Sequence, residues 1–218
     1  MTDRDRAWRR TRLASARLYL CAPATRPDHD LLGFLGAVAG AGVDLLQLRD
    51  KEASTDRQRR AATAFRAVAA AEEALFIVND DPELAGEVDA DGVHVGQEDG
   101  SVEAARAIVG EDRIVGRSTH SIEQIDEALE TDADYLGVGP VNPTPTKEGR
   151  AGIGLEPVRH AAAVADRPFF VTGGMSLDTV DPVLEAGAHG VVVVRALTEA
   201  EEPARVAGHL AKRIERAG

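Results

Sequence analysis

The feature that most constrains this chain is an alternation. Eight short apolar runs recur roughly every 20–30 residues, separated by segments of helical pattern. The runs are RLYLC (17–21), DLLQL (44–48), LFIVN (75–79), GVHV (92–95), RIVG (113–116), YLGVG (135–139), FFVT (169–172) and GVVVV (190–194). Continuous apolar strands of this kind suit a parallel sheet covered on both faces. Between them, TDRQRRAATAFRAVAAAEEA (55–74) predicts the longest helix. Ser101 and Ser121 stand where helices begin, Gly110 where one ends, and Pro82, Pro157 and Pro182 where a first turn can start. Several strands are entered through a Gly-Ala or Asp-Ala turn, as in GAGVDLL, DADGVHV, DADYLGV and GAHGVVV.

Eight strand–helix units without a linker or a break in composition predict an α/β fold, a single (β/α)8 TIM barrel. An open doubly wound sheet would use similar elements, but the Gly-x-Gly-x-x-Gly turn that such a sheet carries after its first strand is absent. Residues 1–14 read as a polar, frayed N-terminal extension, and 15–218 as the barrel domain. The first twenty residues lack the apolar stretch of a signal peptide, and no run approaches a membrane span. One cysteine, Cys21, excludes an internal disulfide and fits a reducing compartment. The expected location is the cytoplasm.

A net charge of −12 argues against nucleic acid and against an anionic membrane as partners, because both need a basic footprint. It leaves room for an anionic small molecule, whose site needs only local positive charge. The chain has 25 basic residues and only three are lysines: Lys51, Lys147 and Lys212. In a barrel, chemistry is expected at the C-terminal strand ends and in the loops that follow them. Two of the three lysines fall there.

Strand 2 ends in QLRDK, and alternation puts Gln47, Arg49 and Lys51 on one side, suited to a phosphate or pyrophosphate. Read alone, the pentapeptide serves equally as a solvated turn. Asp80 follows strand 3, and Asp99 follows strand 4. Asp80 by itself reads as a helix cap as readily as a ligand, but adjacent strand ends would bring the two carboxylates together, as Mg²⁺ sites do. Ser118, in RSTH after strand 5, suits a polar substrate or a cap. His94 and His120 read as packed or capping histidines. After strand 6, GPVNPTPTKEGRAGIG sets Thr144, Thr146 and Lys147 among stiffening prolines, a set of phosphate donors. Gly173 and Gly174 after strand 7, with Val194 and Arg195 after strand 8, form a second anion site.

The ordered set QLRDK, NDD, HVGQED, STH, YLGVGPVNPTPTK, GG and VVVR, spanning about residues 17–198, resembles the thiamine-phosphate synthase family. The resemblance implies a transferase barrel that condenses a hydroxymethylpyrimidine diphosphate with a thiazole phosphate, releasing pyrophosphate. It implies that Gln47, Leu48, Arg49, Asp50, Lys51 and Asn79 hold the pyrimidine diphosphate, with Ser118 and Lys147 completing that site. Asp80 and Asp99 would be Mg²⁺ ligands. Thr144, Pro145, Thr146, Gly174, Val194 and Arg195 would hold the thiazole phosphate. Lys51, Arg49, Lys147 and Ser118 are the expected catalytic set. Two positions depart from the family pattern: Asp50 stands where glutamate is usual, and Arg195 where serine is usual.

The expected partners are therefore two phosphorylated small molecules, and a homo-oligomer is compatible with the sequence. A thiazole tautomerase on the same barrel would need no diphosphate clamp. A non-catalytic barrel that senses a phosphorylated metabolite would need neither the two carboxylates nor the two lysines.

Overall fold

The computed structural model describes residues 4–26, 29–143 and 152–217. Its strands are β1 (Leu18–Ala22), β2 (Leu45–Leu48), β3 (Leu75–Asn79), β4 (Gly92–Val95), β5 (Ile114–Thr119), β6 (Tyr135–Val138), β7 (Phe169–Val171) and β8 (Gly190–Val193). Each pairs in parallel with the next and β8 pairs with β1, so the sheet closes on itself as the alternation predicts. The helices are α1 (Arg6–Ser15), α2 (Leu31–Ala39), α3 (Thr55–Ala71), α4 (Pro82–Glu87), α5 (Val102–Val109), α6 (Ile122–Leu129), α7 (Glu156–Val164), α8 (Val180–Glu185), α9 (Arg195–Thr198) and α10 (Pro203–Glu215).

Strand alternation sorts the apolar side chains into two cores. Leu18, Leu20, Leu46, Leu48, Phe76 and Val78 point outward and pack against the helices. Tyr19, Cys21, Leu45, Leu75, Ile77, Ile114, Tyr135 and Phe170 point inward and fill the barrel. In the outer core, Phe65 of α3 stacks on Phe76 of β3 with ring centroids 5.5 Å apart. Burying a side chain of this size stabilises the fold by about 1.5–3 kcal/mol.

Local signals set the helix ends. Ser54, Ser101 and Ser121 each accept the backbone N–H three residues on, and Gly110 ends α5 at φ 78°. α3 stops at Ala71, short of the expected 74. Glu73, at φ 52°, turns the chain into β3 before the helical pattern runs out. β5 runs longer than RIVG suggests, because its ladder with β6 continues through Ser118↔Gly137 and Thr119↔Val138.

The expectation of a frayed N-terminal extension is corrected. Asp5 caps α1, and Leu13 and Arg9 are buried, with Leu13 in the inner core. The helix closes the foot of the barrel, tied there by charge. Arg4 and Arg9 both pair with the fully buried Asp91, and Arg10 pairs with Asp134 at 2.8 Å. The polar sequence concealed this because the partners lie more than 80 positions away.

The strand-entry turns have a common function. Asp44, just before β2, accepts the N–H groups of Arg17 and Leu18. Asp91, before β4, accepts that of Phe76, and Asp134, before β6, that of Val115. Each carboxylate thus satisfies backbone donors at the start of the preceding strand, where no ladder partner is available. Before β8 the same place holds His189, whose Nε2 lies 2.7 Å from Arg17 Nη1. Burial, reinforced by Arg17, lowers the pKa of His189 to about 4.

Candidate active site

A cavity of about 570 Å³ opens at the C-terminal ends of the strands, within the usual size for a small-molecule site. Gln47, Arg49, Lys51, Asn79, Asp80, Asp99, Ser118, Gly174, Val194 and Arg195 all line it. β2 ends at Leu48, so Lys51 sits in the following turn and not on an extended strand, yet it reaches the same space as Gln47 and Arg49.

Lys51 joins the ends of β3 and β4. Its Nζ lies 2.9 Å from Asp80 Oδ2 and 3.6 Å from Asp99 Oδ1. The hydrogen bond to Asp80, with the pull of both carboxylates, raises the lysine pKa and keeps it charged. The capping function belongs to the neighbouring Asp81, which accepts Leu84 N–H at 2.8 Å. Asp80 instead turns to the cavity, through a backbone at φ 64°, a region that aspartate tolerates better than most residues. A Cβ on Gly96 would lie 2.3 Å from Asp99 Oδ2 and 4.0 Å from Asp80 Oδ1. Glycine therefore keeps a space open between the carboxylates.

That space suits a cation, and the Lys51 ammonium lies against the other pair of oxygens, Asp80 Oδ2 and Asp99 Oδ1. Among the described residues no group of three or more His, Cys, Asp or Glu could hold a metal ion. Two carboxylates with further oxygens from water and phosphate are the Mg²⁺ pattern.

Two of the residues expected to hold substrate have other work. The Leu48 side chain is fully buried in the outer core, so only its backbone could meet a ligand. Asp50 accepts N–H groups of Ala24, Glu52 and Ala53, which pins the turn carrying Lys51. Ser118 lies within β5, not in a following loop, and α6 takes its cap from Ser121. Its side chain is buried at the cavity floor. Thr144, Pro145, Thr146 and Lys147 lie outside the described residues.

On the opposite side of the mouth, Gly173 and Gly174 follow β7 with φ 112° and 66°. A Cβ on Gly173 would come within 2.5 Å of Val141 N, so the turn requires glycine. Val194 caps the one-turn helix α9, and Arg195 begins it, exposed and facing the cavity. Neither Arg49 nor Arg195 forms a side-chain ion pair among the described residues.

Gln47 and Ser118 were legible as site residues, but the Tyr19, Cys21 and Tyr135 side chains that join them in the cavity floor were not. Cys21 Sγ donates to Gln47 Oε1 at 3.1 Å, and Gln47 Nε2 donates to Tyr19 Oη. Tyr19 Oη meets Tyr135 Oη at 2.8 Å, Tyr135 Oη meets His94 Nδ1 at 3.0 Å, and His94 Nε2 meets Ser118 Oγ at 2.8 Å. Tyrosines at inward strand positions are the signal that could have found it, because a buried phenol needs a polar partner. His94 is packed, as expected, with its ring stacked on Tyr135, but it also reaches the site.

Fold and mouth together define a (β/α)8-barrel enzyme with a cation-and-carboxylate site. The family model described as thiamine monophosphate synthase matches residues 18–197. A thiamine-phosphate synthase of Acidothermus cellulolyticus is 48% identical over 204 residues, covering 93% of this chain and 96% of that protein. One from Streptomyces avermitilis is 47% identical over 210 residues, covering 95% and 98%. Among solved structures, a thiamine phosphate pyrophosphorylase from Pyrococcus furiosus superposes with a TM-score of 0.84 at 31% identity, covering 95% and 98%. The chain belongs to the thiamine monophosphate synthase family, and with it to the transferases.

No helix among the described residues is long and apolar enough to cross a membrane.

Proposed function

We propose that this protein condenses 4-amino-2-methyl-5-hydroxymethylpyrimidine diphosphate with 4-methyl-5-(2-phosphoethyl)thiazole, forming thiamine phosphate and pyrophosphate. The observation that carries the reading is Lys51 set between Asp80 and Asp99, beside Arg49, Asn79 and Gln47, in a chain of this family. Such a cluster suits a diphosphate held together with a hard cation.

Arg49 and Lys51 bind the diphosphate, joined by Lys147 on the strength of the sequence motif. Gln47, Asn79 and Ser118 orient the pyrimidine. Gly174, Val194 and Arg195, with Thr144, Pro145 and Thr146, hold the thiazole phosphate. The two carboxylates fit Mg²⁺, which when bound would offset charge on the diphosphate and the departing pyrophosphate.

The bond from the pyrimidine methylene to the diphosphate oxygen breaks, and its electron pair leaves with pyrophosphate. The electron-rich aminopyrimidine stabilises the resulting cation, and the thiazole nitrogen lone pair then forms the new C–N bond. No protein nucleophile is required. Catalysis comes from aligning two bound reactants and from cations placed where leaving-group charge develops.

The test is to mix the purified chain with both substrates, with Mg²⁺ or with a chelator, and measure thiamine phosphate. Mg²⁺-dependent product is expected. Absence of product while thiazole phosphate still binds would shift the reading to a tautomerase or a sensor.

A further inference from the structure

The chain of side chains beneath the cavity has a direction, and the direction determines what its last member can do. At one end the Gln47 amide is oriented by the Cys21 thiol, which donates to Oε1, so Nε2 must donate to the Tyr19 oxygen. Tyr19 Oη and Tyr135 Oη are 2.8 Å apart, and Tyr135 Oη lies 3.0 Å from His94 Nδ1. With the Tyr19 oxygen already accepting from Gln47, every group is satisfied when Tyr19 donates to Tyr135 and Tyr135 to His94 Nδ1. His94 is thereby left with its proton on Nε2, which donates to Ser118 Oγ. The Ser118 proton remains available to the cavity.

In the reverse order, Tyr19 would receive protons from both Gln47 and Tyr135 while its own proton faced two donors. Tyr19 is 1% exposed and Tyr135 fully buried, so a misdirected hydroxyl there would be left unsatisfied at substantial cost. Burial pushes both phenols well above the ordinary tyrosine range, so neither supplies a charged acceptor that could reverse the chain. The backbone makes room for this arrangement at one point in particular. A Cβ on Gly116 would fall 2.1 Å from the Tyr135 ring, so only glycine admits the tyrosine.

We propose that Tyr135 is a positioning residue. Through His94 it fixes Ser118 as a hydrogen-bond donor toward an acceptor atom of the pyrimidine substrate. This rests on the proposed function for the identity of the substrate, but the direction of the chain does not.

The experiment uses the full chain labelled with ¹⁵N-histidine, with His94 signals assigned by loss in His94→Gln. Long-range ¹H–¹⁵N correlation at neutral pH is expected to show a neutral ring with its proton on Nε2. A proton on Nδ1, or on both nitrogens, overturns the proposal whatever the activity. In Tyr135→Phe the single tautomer should give way to a mixture. That variant should lose about 10-fold in kcat/KM for the pyrimidine diphosphate, the equivalent of one hydrogen bond, with KM for thiazole phosphate unchanged. Adding Ser118→Ala to Tyr135→Phe should cost little beyond Ser118→Ala alone, whereas independent, multiplicative losses would refute the coupling. If Tyr135→Phe does not fold, the wild-type tautomer still decides the direction. Wild-type protein that makes no thiamine phosphate yet carries the Nε2 proton would defeat the proposed reaction and leave the orientation of Ser118 standing.

Discussion

The two ends of the barrel spend their charges differently. At the foot, Arg9 and Arg106 are buried and paired: Arg9 with Asp91, Arg106 with Asp132 and Asp134. At the mouth, Arg49 and Arg195 line open space, and Lys51, with half its side chain exposed, meets two carboxylates. A buried pair whose partner is deleted leaves a charge without water, and the fold suffers. A half-exposed pair contributes little to stability. Charge at the foot therefore holds the structure, whereas charge at the mouth is available to a ligand.

The sharpest way to break this contrast is at the foot. Asp91→Ala should lower unfolding free energy by about 3–5 kcal/mol, measured by urea denaturation, while the molecules still folded keep their kcat. A large loss of kcat in the folded fraction would dissolve the distinction between the ends. The opposite pattern is expected of Lys51→Ala, whose stability should change by less than about 1 kcal/mol. Turnover should fall roughly 100-fold or more in Lys51→Ala and in Lys147→Ala. Near-normal turnover would remove either lysine from the mechanism.

Asp80→Asn probes the space beside Gly96. The Mg²⁺ concentration for half-maximal activity should rise about 10-fold, one charged ligand's worth of binding; an unchanged titration would place the metal elsewhere. Arg195→Ala should raise the KM for thiazole phosphate about 5-fold, close to one modest hydrogen bond. If KM does not move, that phosphate is held without the Arg195 side chain.

At neutral pH the smallest effect belongs to His189. Its folded pKa, about 4, lies below the ordinary value, so the unfolded chain binds more protons between the two. Stability is thus complete above about pH 6.5 and declines as pH falls toward 4. His189→Gln should remove this residue's share of that decline, seen as a shallower pH dependence of the unfolding midpoint than in the wild type.

The strands were legible because each apolar run is short and bounded by turn residues, and the parallel barrel follows once eight are counted. Most of the mouth was legible for the same reason: a strand end fixes where the next side chains lie, so Arg49, Lys51, Asp80 and Asp99 could be placed together. Sequence spacing alone did not show that Asp50 is consumed by backbone N–H groups, or that Leu48 faces outward. It also hid whatever depends on distant partners. Tyr19 and Tyr135 touch across 116 positions, and the α1 arginines have carboxylates from the middle of the chain.

That last separation bears on the order of assembly. Arg9 reaches Asp91 across 82 positions, and Arg10 reaches the carbonyl of Asp112 across 102. Helix α1 thus lacks these docking partners until strands from the middle of the chain exist. Closing so long a loop is entropically slow to be repaid. Helix α1 is accordingly expected to dock late, after β4 and β5 have formed.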